Sequence, residues 1–469
     1  MSQLLLNNFL SNLRKEYKDT YLRNDQKKSE LIDTKNVLLY LMHTKEFSKS
    51  DYECLHNFEY QINIVGEIVT YYTKKWKPYK TSEALPDEWV EIFTILLYKY
   101  FLDIKARGKT DEELLKIINS VFKCLDLAST IWLKKGSELY KSICQDFDRV
   151  INNISQQEHS TNNNFYAKFR NFKKPLVVLP VTVLFFEGPI ARAYLATIHS
   201  MGFTPQKIIH LVFGNDISTK KPIGKLFPEI LRKKYLATMH KQRIHYWPNQ
   251  ISKNLPELKK SIFKSVISDF KFSQKVLDQA NELKSLTYFC SNIEVLLIKN
   301  LRDTLLKDCL QQFPRSTLLY TGGGIVPKDL LDISNIKFIH IHPGFLPSLR
   351  GADCFLWSVL LHGRASASCF YMNDGIDTGN IILAAWLPRI SFEISRNEFD
   401  LMTLYRSIYS YLDPWVRSFV LRQVIERYSD SNFYSISAST QLNNDGILLN
   451  FMHNKIKDVV MDELFPFKY

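Results

Sequence analysis

Residues 316–351 read STLLYTGGGIVPKDLLDISNIKFIHIHPGFLPSLRG. Two apolar runs, STLLY and NIKFIHIH, are each short enough for a strand, and each ends in breakers: three glycines after the first, Pro343 after the second. Alternate residues of a strand share a face, so His340 and His342 point the same way with Phe338 behind them, while Ile339 and Ile341 face the other way.

The pattern repeats outward. PLVVLPVTVLFF (175–186), KIIHLVF (207–213), SLTYFC (285–290), SASCFYM (366–372) and NIILAAWLP (380–388) read as further strands. PIARAYLATIHSMGF and EVLLIKNLRDTLLKDCLQQF read as helices between them. Short strands alternating with helices predict an α/β fold, a Rossmann-like and mostly parallel sheet covered on both sides. Ligands of such sheets collect beyond the carboxyl ends of the strands.

Before this region the period changes. Residues 1–151 carry apolar residues at helical spacing, and Thr110 to Glu113 form a capping box, so an all-helical domain is expected there. Residues 152–173 begin NNISQQEHSTNNN and read as a polar linker. The α/β domain is expected over 174–430, and 431–469 form a tail with a small hairpin and a closing helix.

The chain has 469 residues, too many for one core. Its net charge of +13 would suit a polyanion, but the basic residues are scattered, and a nucleic-acid partner is disfavoured. Seven cysteines form no C-x-x-C and read as reduced, buried thiols, the usage of a cytoplasmic protein. No signal peptide opens the chain, and its longest apolar run is too short to span a bilayer, so no membrane partner is expected.

Chemistry gathers at three places. YTGGG allows close approach of a ligand to main chain, but it lacks the lysine and hydroxyl of a phosphate loop. HIHPGFLPSLRGAD carries two histidines, Arg350 and Asp353, which can cap a helix starting at Cys354 that Gly363 can end. FYMNDGIDTGNII holds Asp377 in a glycine-rich turn. Two histidines and a carboxylate could form a metal site, yet nothing else in the region supplies a metal signature. Taken singly, each element has a plainer reading: tight turn, core histidine, turn-forming acid.

Taken together, TGGGIVPKDLL, IHIHPGFLPSLRGADCFLWSVLLHG and FYMNDGIDTGNII resemble the core of the 10-formyltetrahydrofolate-dependent formyltransferases. The resemblance is strongest over 316–390. It implies 10-formyltetrahydrofolate as formyl donor and a primary amine as acceptor. It places His342 at the family's catalytic histidine and Asp377 at its catalytic aspartate. Gly324, Ile325 and Val326 match the segment whose backbone meets the pterin, and Ile376 matches the loop closing over it. His340 departs from the pattern, standing where the family has asparagine. The asparagine amide donates to a developing oxyanion, and an imidazole can donate from one ring nitrogen. Arg350 could meet an acceptor phosphate or carboxylate, or brace its own loop. The expected acceptor is small, an amino sugar nucleotide or amino acid derivative, because the tail after Pro388 is too short for the extra domain of methionyl-tRNA formyltransferases. Alternatives are a formyltetrahydrofolate hydrolase, a methionyl-tRNA formyltransferase-like enzyme, and a catalytically inactive folate-binding module.

Overall fold

A computed structural model describes residues 87–127, 137–155, 176–216, 221–322, 324–442 and 445–466. The helices expected before residue 87, most of the expected linker, Cys54 and Gly323 lie outside the described residues. Contacts divide the chain into two compact units, Met1–His159 with Leu449–Lys457, and Ser160–Leu448 with Asp458–Tyr469.

In the first unit the described helices are Asp87–Ala106, Asp111–Leu127 and Glu138–Ser155. Phe93, Phe101, Ile118 and Phe122 are buried between them. The capping box forms: Glu113 N donates to Thr110 Oγ1 at 3.4 Å, and Thr110 N to Glu113 Oε2 at 3.3 Å. The stretch Leu449–Lys457, read from sequence as tail, belongs here. Asn119 donates to the Phe451 carbonyl at 3.1 Å and accepts from His453 N at 2.6 Å.

The second unit is built on a seven-stranded sheet: β1 Val177–Phe185, β2 Phe203–Phe213, β3 Ile293–Ile298, β4 Ser316–Tyr320, β5 Ile336–His342, β7 Ser366–Tyr371 and β8 Ile381–Trp386. Their order is β3-β2-β1-β4-β5-β7-β8. The pairs from β3 through β5 are parallel, and β5–β7 and β7–β8 are antiparallel. β6 Leu349–Gly351 and β9 Ile447–Leu449 make a separate two-stranded sheet. Val183, Leu184, Phe185, Ile208 and Ile209 are completely buried, each worth about 1.5–3 kcal/mol against exposure. Helices Pro189–Ser200 and Asp413–Tyr428 pack on each other, and Asp413–Tyr428 also packs on β5 and β7.

Two sequence expectations are corrected. SLTYFC is no strand: Leu286–Tyr288 is a 3-10 turn, capped by Ser285 Oγ accepting from Thr287 N at 3.4 Å. The third strand is Ile293–Ile298, the start of the run read as one helix, and that helix covers only Thr304–Gln311. An apolar run of this length suits strand or helix, and the parallel partner β2 decides the choice. The chain after Pro388 forms two helices, Leu401–Tyr411 and Asp413–Tyr428, broken ahead of Pro414.

Candidate active site

β5 carries both histidines, and they diverge in surroundings. His342 is 3% exposed. Its Nε2 lies 3.1 Å from the Leu349 carbonyl oxygen, which can only accept, so Nε2 carries the proton. Its Nδ1 faces Asp377 Oδ2 at 3.4 Å. Burial holds the imidazole below its ordinary pKa against the pull of Asp377, with Arg417 adding to the depression. Neutral His342 therefore presents a lone pair to the carboxylate, and a proton arriving on Nδ1 would turn that gap into a charge-assisted contact.

His340 is half-buried. Its Nδ1 lies 3.2 Å from the Tyr320 carbonyl oxygen at the end of β4, so Nδ1 is the donor. Its ring sits against Tyr320 and edge-on to Phe370, with centroids 5.6 and 6.0 Å away. Burial first, then Arg417, brings its pKa down to about 4. The N–H that could have replaced an asparagine donor thus points to main chain.

The glycine turn after β4 is shaped by Tyr320. Its hydroxyl donates to the Gly324 carbonyl at 3.0 Å, and a Cβ on Gly322 would stand 2.6 Å from that hydroxyl. A side chain at Gly322 would have to push the Tyr320 ring aside. Val326 points into the core, whereas Ile325 is 75% exposed. On the turn after β7, Ile376 is 44% exposed. Lys328 pairs with Asp374 at 2.9 Å and ties the two turns together. Two exposed branched side chains on linked turns are what a flat apolar ring would need.

Asp377 is placed by its turn. β5–β7 pairing sets Tyr371 opposite Ile339, so the chain after β7 leaves beside the middle of β5 and must fold back to reach His342. Asp377 adopts φ 54°, and its Oδ2 accepts from Gly351 N at 2.9 Å. A Cβ on Gly379 would stand 1.7 Å from the Tyr371 carbonyl oxygen, so this return path demands glycine. Gln441 then clamps the turn, donating to the carbonyls of Asp377 and Gly379 at 3.0 and 2.6 Å.

Arg350 joins that clamp. It is 4% exposed and donates to Gln441 Oε1 at 3.0 Å and the Leu442 carbonyl at 2.7 Å. Both of these acceptors lie within the fold. Asp353 is also corrected: it sits at φ 54° and makes no cap bond. Its carboxylate accepts from Tyr405 and Tyr409 hydroxyls at 2.9 and 2.7 Å.

One pair escaped the sequence reading. Arg417 donates to the Ile341 carbonyl at 2.7 Å, between the two histidines, and to buried Asp413 at 2.9 Å. Burial raises the Asp413 carboxyl, with Arg417 opposing. The signal was an i,i+4 Asp–Arg pair inside the otherwise apolar DPWVRSFV. Among the described residues, no group of three His, Cys, Asp or Glu side chains is placed to hold a metal.

A histidine–aspartate pair beside a glycine turn and a returning Asp-x-Gly turn is one constellation, and its sequence can be compared with known proteins. Residues 300–398 match the formyl transferase family. That segment holds every candidate site residue named from sequence. Methionyl-tRNA formyltransferases from Syntrophus aciditrophicus and Clostridioides difficile are 34% and 32% identical over 99 and 96 residues. Each alignment covers 20% of this chain and 31% of the relative, so the chain spans about a third of the length of these relatives. Among solved structures, a sugar N-formyltransferase from a Shewanella species is 15% identical with a TM-score of 0.26, over 41% of this chain and 73% of that one. Phosphoribosylglycinamide formyltransferase from Streptococcus pneumoniae is 13% identical with a TM-score of 0.26, over 53% of this chain and 97% of that one. Among the described residues, no helix is long and apolar enough to cross a membrane.

Proposed function

We propose that this chain transfers a formyl group from 10-formyltetrahydrofolate to a primary amine of a small acceptor, such as an amino sugar nucleotide or an amino acid derivative. The observation that carries the proposal is buried His342 with Nδ1 3.4 Å from Asp377, with Ile325 and Ile376 exposed on turns that Lys328 and Asp374 tie together. The donor's pterin ring would lie against the Gly324–Val326 backbone, with Ile376 closing over it.

The amine nitrogen adds to the formyl carbon, and the carbonyl oxygen becomes an oxyanion. A proton must leave the new ammonium, and N10 must gain one as it departs. His342 serves as general acid and base, with the Leu349 carbonyl orienting the neutral ring and Asp377 stabilising its protonated form. Because its resting form is neutral, His342 can receive a proton at pH 7. The buried cation of Arg417 supplies a fixed positive field beside the strand where negative charge develops.

The test is to incubate purified full-length protein with 10-formyltetrahydrofolate and a panel of amines, following formyl gain by mass spectrometry. One amine gaining a single formyl group, with tetrahydrofolate released in step, is the expected result. Release of formate alone would point to the hydrolase, and bound donor with no turnover to an inactive folate module. A formylated aminoacyl-tRNA would reassign the acceptor class.

A further inference from the structure

We infer that His340 contributes a proton acceptor, rather than a hydrogen-bond donor, to the reacting centre: its Nε2 takes the proton released by the attacking nucleophile. The inference rests on the proposed formyl transfer and deepens it by moving the general-base role from His342, whose two ring nitrogens face the Leu349 carbonyl and Asp377, to His340. It reverses what substitution of one donor by another at this position would suggest.

The argument is geometric. A neutral imidazole has one N–H. A carbonyl oxygen has no proton to give, so the 3.2 Å contact with Tyr320 O fixes that N–H on Nδ1. Nε2 is then a bare lone pair, and no described residue hydrogen-bonds to it. The Tyr320 carbonyl that fixes the tautomer is itself held. Tyr320 ends β4, which pairs with β5, and its side chain is pinned to Gly324. The ring is wedged between Tyr320 and Phe370, which resists a flip. His340 shares a strand face with His342, and both His342 and Asp377 act on it electrostatically, which sets it beside that pair. The groups acting on it electrostatically are Arg417 from helix Asp413–Tyr428, Asp377 from the turn after β7, and His342 from its own strand. Arg417 and burial keep the lone pair free of a proton at neutral pH, with Asp377 opposing.

The step balances without another reactant. The amine lone pair forms the new C–N bond, and the carbonyl π pair moves to oxygen. The ammonium proton passes to His340 Nε2. When the oxygen pair re-forms the carbonyl, the bond to N10 breaks and N10 keeps its pair. N10 then takes that proton back from His340 Nε2, so the protein ends as it began. Water needs its proton removed during attack, so the same lone pair would also assist amine-free hydrolysis of the donor.

Two measurements test this. In full-length protein labelled with ¹⁵N-histidine, long-range ¹H–¹⁵N correlations should show His340 neutral at pH 7 with Nδ1 protonated and Nε2 bare. His340→Asn identifies the resonance by its loss. A proton on Nε2, or an imidazolium at pH 7, overturns the inference and leaves formyl transfer standing. In kinetics, His340→Asn and His340→Gln should lower kcat at least about tenfold with KM for the donor little changed, and should lower amine-free hydrolysis in parallel. Both variants carry amide donors, so wild-type kcat in either folded variant shows that donation suffices and overturns the inference. If the wild-type protein consumes no donor, either with amine added or in water alone, formyl transfer and this inference both fail.

Discussion

The second unit holds two buried charge clusters built from the same kinds of residue. In the first, Glu187 follows β1 and receives Arg192 at 2.8 Å through Nε and 2.5 Å through Nη2, with His245 Nε2 at 3.0 Å. Arg192 also reaches the Lys284 carbonyl. Both oxygens of the carboxylate are occupied. Although burial opposes it, Arg192 and His245 bring the Glu187 pKa down to about 2. In the second cluster, His342 and Asp377 stand 3.4 Å apart and His340 keeps one nitrogen bare. A closed cluster can only stabilise. A cluster with unfilled capacity can accept a proton, and that difference separates a structural ion pair from a reactive site.

The comparison breaks most sharply on activity. His342→Ala and Asp377→Ala should each lower formyl transfer by about 10²–10⁴-fold. Donor binding, followed by fluorescence quenching, should survive because the pterin is expected to meet main chain. Wild-type rates in both variants would remove them from the site. Glu187→Gln should do the opposite. It leaves the Arg192 cation buried without its partner, so denaturant unfolding should show about 3–5 kcal/mol less stability. Donor affinity measured on the remaining folded protein should be unchanged. A shift under 1 kcal/mol would mean that the cluster is not held as closed as the distances indicate.

Acid should separate the clusters by window. His340 and His210 have folded pKa values near 4 against an ordinary 6.5. Between those values the unfolded chain binds more protons, so stability falls as pH drops from 6.5 to about 4. Glu187, near 2 against an ordinary 4.5, contributes stability that is full above 4.5 and is lost as pH falls toward 2. His340→Asn should make the upper window shallower without removing it, because His210 remains, and should leave the lower window unchanged, whereas Glu187→Gln should remove the lower window, read as unfolding midpoint against pH. Matching slopes in both variants would refute the assignment.

Much of this was legible in residues 316–351 and 366–388. Breakers bound the runs, alternation sets the faces, and the two histidines fall on one side of one strand because strand geometry allows nothing else. The strand at 293–298 was missed because a short apolar run fits either period, and only its pairing with β2 chooses. Arg417 was missed because it lies 76 residues beyond the carbonyl it serves. Asp353 was misread because local capping logic cannot see two tyrosine hydroxyls arriving from another helix.

By itself, the sequence determined the α/β alternation, the shared face of His340 and His342, and the grouping of glycine turn, histidine strand and Asp377 turn. These follow from local stereochemistry and from residue types that tolerate few alternatives. Tertiary structure alone decided which nitrogen of each histidine carries its proton. That choice depends on where the Tyr320 and Leu349 carbonyls stand, and backbone oxygens are identical in every sequence. It likewise decided that Arg350 braces Gln441, since a guanidinium binds whichever acceptor the fold brings within reach.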